Sequence, residues 1–249
     1  MIALFDSGNS KLHFAWWDGE KVKDAVTIPY PESTDSLPDV ISELLGGRTL
    51  KKIAACSVAS QWREPLFETL DSCAPGKLVV ARNAYDIGLD VRYDKPETLG
   101  IDRALADHAA YCFFNDSCVV IDAGTAVTVD VVSESGAVLG GLIFPGIDVL
   151  FRSLGEKTDL PEVSQSVTCG KIGNSTESCI FSGISTGYSG AITKLVEKAA
   201  ETAGSLQRIV ITGGDAELLL KCLPFKMIHI PYLVLDGLGI TIGILPKYH

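Results

Sequence analysis

The sequence predicts an α/β protein of two related domains, each a mixed sheet with helices packed on it, divided into residues 1–115 and 116–249. Three observations carry this. The first is a repeat: Ile2 to Asp6 is an apolar run into an acidic end, followed by Ser7-Gly8-Asn9-Ser10, and Val119 to Asp122 is another, followed by Ala123-Gly124-Thr125-Ala126. Asp6 and Asp122, Gly8 and Gly124, Asn9 and Thr125, and Ser10 and Ala126 all stand 116 positions apart. The second is a meander followed by alternating strand and helix patterns, which implies helices laid on a mixed sheet. The third is length: 249 residues suit two small domains or one large one, on a prior of roughly 100–200 residues each.

The elements follow in order. Each repeated segment reads as a hairpin. Lys11 to Trp17 returns from the first turn, and Val127, Val129 and Val131 alternate with polar residues after the second, the period of a half-buried strand. Val22 to Ile28 is a third strand, and a helix over Leu37–Leu45 ends at Gly46-Gly47. A strand over Lys52–Val58, a helix over Trp62–Leu70 and a strand over Lys77–Val80 continue the first half. Asp102 is placed to begin a helix reaching Phe114. The second half continues with a strand from Val138 to Gly146, in which Gly140-Gly141 implies close approach by backbone or ligand. A helix over Asp148–Leu154 comes next. A cap at Asn174 to Glu177 opens a helix whose Gly183 and Gly187 would permit close packing, and a separate helix, Ala191 to Ala203, is closed by Gly204. Ile209 to Thr212 is a strand ending at Gly213-Gly214, where a nucleoside could lie against backbone. In Leu235 to Leu245, Gly237, Gly239 and Gly243 have the wrong spacing for a dinucleotide fingerprint, so helix packing accounts for them better.

Composition narrows the function classes. A hydrophobic content of 47% with 21% charged residues describes a globular protein with ample core. A net charge of −10 argues against nucleic acid or an anionic membrane as partner. Met1 runs straight into a strand without the features of a signal peptide, and no apolar run approaches a membrane span, so a cytoplasmic location is expected. Seven scattered cysteines (56, 73, 112, 118, 169, 179, 222) read as reduced core thiols. With four histidines (13, 108, 229, 249) they form no zinc spacing.

The chemistry lies in the repeat. Glycine lets backbone N–H groups approach a ligand, and small hydroxyl or amide side chains add donors. A carboxylate beside them repels bare phosphate but suits one that arrives with Mg²⁺, which takes one or two carboxylates, waters and phosphate oxygens. Two such loops facing each other would hold a nucleotide polyphosphate. An ordinary hairpin accounts for either copy alone; the same residue order twice favours phosphate. No Gly-x-x-x-x-Gly-Lys-Ser/Thr occurs. A second stretch, Tyr93 to Arg103, gathers Tyr, Asp and Arg on a loop constrained by Pro96 and Gly100, with a plain helix cap as the simpler account of Asp102.

Five motifs together resemble type III pantothenate kinases: Asp6-Ser-Gly-Asn-Ser10, Tyr93-x-x-Pro96-x-x-Leu99-Gly100-x-Asp102-Arg103, Asp122-x-Gly124-Thr125-Ala126-x-Thr128-x-Asp130, Gly140-Gly141-x-Ile143-x-Pro145-Gly146 and Asn174-x-Thr176. They stand in the family order and span almost the whole chain. Ser10 replaces the more usual Thr and keeps the hydroxyl; one residue separates Asn174 from Thr176, which the family often has adjacent. The resemblance implies the actin-like ATPase (ribonuclease H-like) fold, with a five-stranded type of mixed sheet in each domain, and a homodimer. It also implies phosphorylation of pantothenate by ATP to 4′-phosphopantothenate, which opens coenzyme A synthesis. By the same resemblance Asp6, Ser7, Gly8, Asn9, Ser10, Lys11, Leu12, His13 and Thr125 bind ATP, with Mg²⁺ held by Asp6 through water, and Asp122 binds K⁺ or NH₄⁺. Tyr93, Gly100, Ile101, Asp102, Arg103 and Thr176 bind pantothenate, with Asp102 the base. The alternatives are an actin-like-fold kinase for another small hydroxylated substrate, or a non-catalytic regulatory accessory protein.

Overall fold

A computed structural model of the chain describes residues 1–163, 171–203 and 208–248; Cys169, Gly204 and His249, named above, lie outside them. The elements, in chain order, are β1 (Ile2–Ser7), β2 (Lys11–Trp17), β3 (Val22–Pro29), α1 (Leu37–Leu45), β4 (Lys52–Ser57), α2 (Ser60–Cys73), β5 (Leu78–Ala81) and α3 (Ile101–Phe114). Then come β6 (Cys118–Ala123), β7 (Ala126–Val132), β8 (Val138–Pro145), α4 (Ile147–Lys157), α5 (Thr176–Ala203), β9 (Arg208–Thr212), α6 (Ala216–Cys222), β10 (Ile228–His229) and α7 (Leu233–Thr241).

They form two compact units. One is Met1–Asn115 with Gly136–Leu139 and Tyr232–His249; the other is Asp116–Ser135 with Gly140–Pro231. The chain first passes between units at Asn115, and its C-terminal segment returns to the first.

Each unit holds one five-stranded sheet, ordered β3-β2-β1-β4-β5 and β8-β7-β6-β9-β10. With β6 set on β1, the two orders are the same. In both, the central strand pairs antiparallel with the strand after it and parallel with the fourth. A strand covered on both faces reads as a continuous apolar run. Accordingly Ala3, Leu4 and Phe5 are fully buried, as are Val119 and Ile121. The first core gathers Phe5, Phe14, Ile41, Ile53 and Phe67 against α1 and α2. The second gathers Ile121, Val129, Ile192, Val196 and Ile211 against α5.

The repeat holds strand for strand, but its register shifts by one residue at the turn. Asp6 lies opposite His13, whereas Asp122 lies opposite Thr128. Gly8 N–H donates to the Lys11 carbonyl at 3.1 Å, and Gly124 N–H to the Ala126 carbonyl at 3.1 Å. The second turn is therefore one residue shorter, and Ala126 corresponds to Lys11 rather than to Ser10.

Several elements differ from expectation. The two helices expected over 174–203 are a single one, α5, because Ile180, Tyr188, Ile192, Val196 and Ala199 keep one buried stripe through its glycines. Gly183 and Gly187 have open space around them and do not bring helices together. In α7, Gly237 does so, since a methyl there would overlap the Leu105 carbonyl of α3, while Gly239 makes room for the Trp17 ring of β2. Gly46 ends α1 in the left-handed region at φ 56°, as a helix-closing glycine should. The two-residue β10 has too little pattern to be legible in advance. Cys56 and Cys118 are core thiols, but Cys73, Cys112 and Cys179 are exposed, which corrects the reading of them as core.

Candidate active site

The first hairpin brings its acidic residue to the end of the central strand and buries it. Asp6 is 7% exposed, and its parallel neighbour on β4 is Cys56. The Cys56 thiol donates to Asp6 Oδ1 at 3.4 Å. Burial, together with the charges of Asp6 and Asp102, pushes the Cys56 pKa well up, so the thiol keeps its proton as a donor. The helix that carries Asp102, α3, packs against β4, which carries Cys56.

Beyond Asp6, Ser7 is fully buried and its hydroxyl turns inward, 2.6 Å from the Tyr30 hydroxyl and 2.9 Å from that of Ser57. Tyr30 donates to the Gly8 carbonyl at 2.8 Å and stacks on Trp62, with centroids 4.4 Å apart. Asn9, Ser10 and Lys11 are exposed. Leu12 is 1% exposed and belongs to the core, so its backbone is what it can offer a ligand. His13 Nδ1 meets Thr27 Oγ1 at 2.8 Å; burial, then Lys11, pushes its pKa down and keeps the ring neutral at pH 7.

Along Tyr93 to Arg103, Gly100 rather than Asp102 occupies the helix N-cap, and no side-chain cap bond forms. Asp102 stands inside the first turn of α3, where its Oδ1 accepts the Arg103 backbone N–H at 2.8 Å. A methyl on Gly100 would lie 2.6 Å from that oxygen, so glycine lets the carboxylate fold back over the helix start. Arg103 Nη2 donates to the Tyr93 hydroxyl at 2.8 Å, and its guanidinium lies 5.9 Å from the same ring. Ile101 is buried at 3%.

In the second unit, Asp122 ends β6 half-buried, and Thr125 and Ala126 stand exposed on the turn. Two glycines press on this turn. Gly146, at the N-cap of α4, donates its N–H to the Thr125 carbonyl at 3.0 Å, and a methyl on it would overlap the Gly124 carbonyl. Gly213, at φ 92°, would drive a methyl into the Ala123 carbonyl and Asp122 Oδ1, while the Asp215 N–H reaches the Ala123 carbonyl at 2.9 Å. Sequence reasoning named Gly213 as a ligand surface; its support of Asp122 had no signal beyond the Gly-Gly pair. Thr176 is the exposed first residue of α5. The cap there is made by Ser175 and Ser178: Ser175 Oγ accepts the Ser178 N–H at 3.2 Å, and Ser178 Oγ accepts the Ser175 N–H at 2.8 Å.

Among the described residues no three His, Cys, Asp or Glu side chains cluster as a metal site. A cation beside Asp6 or Asp122 would complete its shell with water, backbone or substrate oxygen. No helix among those residues is long and apolar enough to cross a membrane.

Comparison with known proteins gives the geometry its context. The acetate kinase of Porphyromonas gingivalis superposes with a TM-score of 0.57 at 10% identity, covering 98% of this chain and 99% of that one. That likeness shows the fold, which is the actin-like ATPase fold. A type III pantothenate kinase of Dehalococcoides mccartyi is 35% identical, covering 95% of this chain and 93% of its own. One of Nitrosococcus oceani is 32% identical, covering 96% and 92%. The pattern described as type III pantothenate kinase matches residues 2–198. With its two Asp-x-Gly hairpins and its Tyr93–Arg103 loop inside that match, the chain belongs to the type III pantothenate kinase family.

Proposed function

We propose that the chain transfers the γ-phosphoryl group of ATP to pantothenate, giving ADP and 4′-phosphopantothenate. The observation that carries this reading is the packing of α3, which carries Asp102, against β4, whose Cys56 thiol meets Asp6 of β1. A nucleotide-side carboxylate and a base for the accepting hydroxyl belong together in phosphoryl transfer, where positioning and charge neutralisation do most of the work. Asp102 takes the hydroxyl proton as the bond to phosphorus forms. Arg103, pinned by Tyr93, supplies the cation that pairs with the pantothenate carboxylate. Thr176 completes the substrate contacts. The exposed Asn9, Ser10 and Lys11, with Thr125 of the second turn, bind the ATP phosphates, while Ser7, Gly8, Leu12 and His13 shape the hairpin that presents them.

The donors suit the cations this chemistry uses. Asp6 is a carboxylate of the kind that holds Mg²⁺ through water, and a magnesium ion there would neutralise phosphate charge. Asp122, with the Ala123 carbonyl beside it, is an oxygen set for K⁺ or NH₄⁺. A homodimer is part of the same proposal; exposed Ile143 on β8, at 65%, and Val149 on α4, at 38%, are apolar surface a second copy would cover. The reaction is located in the cytoplasm, as expected of coenzyme A synthesis.

The test is ADP release and mass-spectrometric detection of phosphopantothenate, with a panel of sugars and small acids in parallel. Turnover with pantothenate and a sharp fall when sodium replaces potassium are expected. Turnover of a sugar alone would overturn the substrate, and equal rates in the two salts would remove the role of Asp122.

A further inference from the structure

We infer that Tyr30 is a positioning residue for the nucleotide turn, holding Gly8 through a hydrogen-bond relay that begins at Ser57. The proton directions follow from the partners. The Gly8 carbonyl can only accept, so the single Tyr30 proton goes to it, at 2.8 Å. Tyr30 then accepts from Ser7 at 2.6 Å. Ser7, its one proton spent, accepts from Ser57 at 2.9 Å, a shorter contact than the 3.3 Å from Ser57 to the Ala59 carbonyl. Every link is satisfied in one direction, and such chains strengthen cooperatively.

Gly8 is fixed at both ends of its residue, the relay holding one of them. Its N–H is held by Lys11 across the turn, and its carbonyl by Tyr30 from below. The Tyr30 ring is fixed in turn by Trp62, at an interplanar angle of 3°. Burial pushes the Tyr30 pKa up to about 12, so the phenol stays a donor at working pH. Ser7 has no hydroxyl left for a phosphate; its side chain supports the turn, and Asn9, Ser10 and Lys11 face outward.

This inference rests on the turn being the ATP site, so nucleotide affinity is measured without pantothenate. Tyr30→Phe keeps the ring and the Trp62 stack and removes one oxygen. Calorimetry with Mg²⁺ and a non-hydrolysable ATP analogue should show Kd raised about five- to tenfold, the effect on the turn of losing the bond to the Gly8 carbonyl, with the Ser7–Tyr30 bond lost beside it. The KM for ATP should rise alongside, with the KM for pantothenate and the melting temperature close to parental. Ser57→Ala should weaken binding less, by about twofold, since Ser7 can still donate to Tyr30; it carries the test if Tyr30→Phe does not fold. Parental affinity in Tyr30→Phe, or an equal rise in both KM values, overturns the assignment. A parent that binds the analogue without phosphorylating pantothenate sinks the substrate reading alone; a parent that binds no nucleotide sinks both.

Discussion

Asp102 shows how one residue's role depends on a position finer than sequence pattern can give. An aspartate before a helical stretch reads as an N-cap, yet Gly100 holds that place and Asp102 stands within the first turn. Its carboxylate accepts the Arg103 N–H, on a helix packed against the strand of Cys56. Asp102→Asn keeps an Oδ1 acceptor for that N–H, so the fold should melt close to the parent. Losing a general base typically costs about 10²–10⁴-fold in rate, and single-turnover kinetics should place the loss in the chemical step. Near-parental turnover in the folded variant would leave Asp102 a purely structural role.

At the scale of elements, the two hairpins are supported by different means. The first turn is held by side chains, through Tyr30, Ser57 and Cys56. The second is held by backbone packed against it at Gly146 and Gly213. Gly213 combines a left-handed φ of 92° with direct contact on Ala123 and Asp122. Gly213→Ala should therefore destabilise by about 1–3 kcal/mol from the backbone conformation alone, with the overlap adding to it. Gly214 has open space and serves as the control: Gly214→Ala should stay within about 0.5 kcal/mol. Urea midpoints that fall equally for the two variants would contradict this account.

For the whole molecule, the return of the C-terminal segment to the first unit creates a titrating joint. Asp236, in the first turn of α7, is 8% exposed and is reached by the backbone N–H of Val22. Burial raises its pKa from 3.8 to about 6, with the Val22 N–H opposing the rise. Between those values the folded chain holds a proton that the unfolded chain has lost. That stabilisation is complete below pH 3.8 and is lost as pH rises through about 6. Asp236→Asn should accordingly melt with a flatter decline from pH 4 to 7 than the parent. Parallel profiles would remove Asp236 as the cause.

Sequence by itself determined the doubled hairpin and the central strands. Apolar runs such as Val119 to Ile121 and a helix closed by Gly46 are local signals, and local signals survive folding when packing agrees with them. It also determined the family, because five spaced motifs constrain the chain more than any one of them does. Only the tertiary structure decided which side of each residue is used. Ser7 and Asn9 are both polar neighbours of Gly8, yet Ser7 is spent on Tyr30 while Asn9 faces outward. The shorter second turn, the single span of α5 and the return of α7 against Leu105 and Trp17 were equally beyond local reading. Each depends on partners distant in the chain, whose contacts follow from packing rather than from residue order.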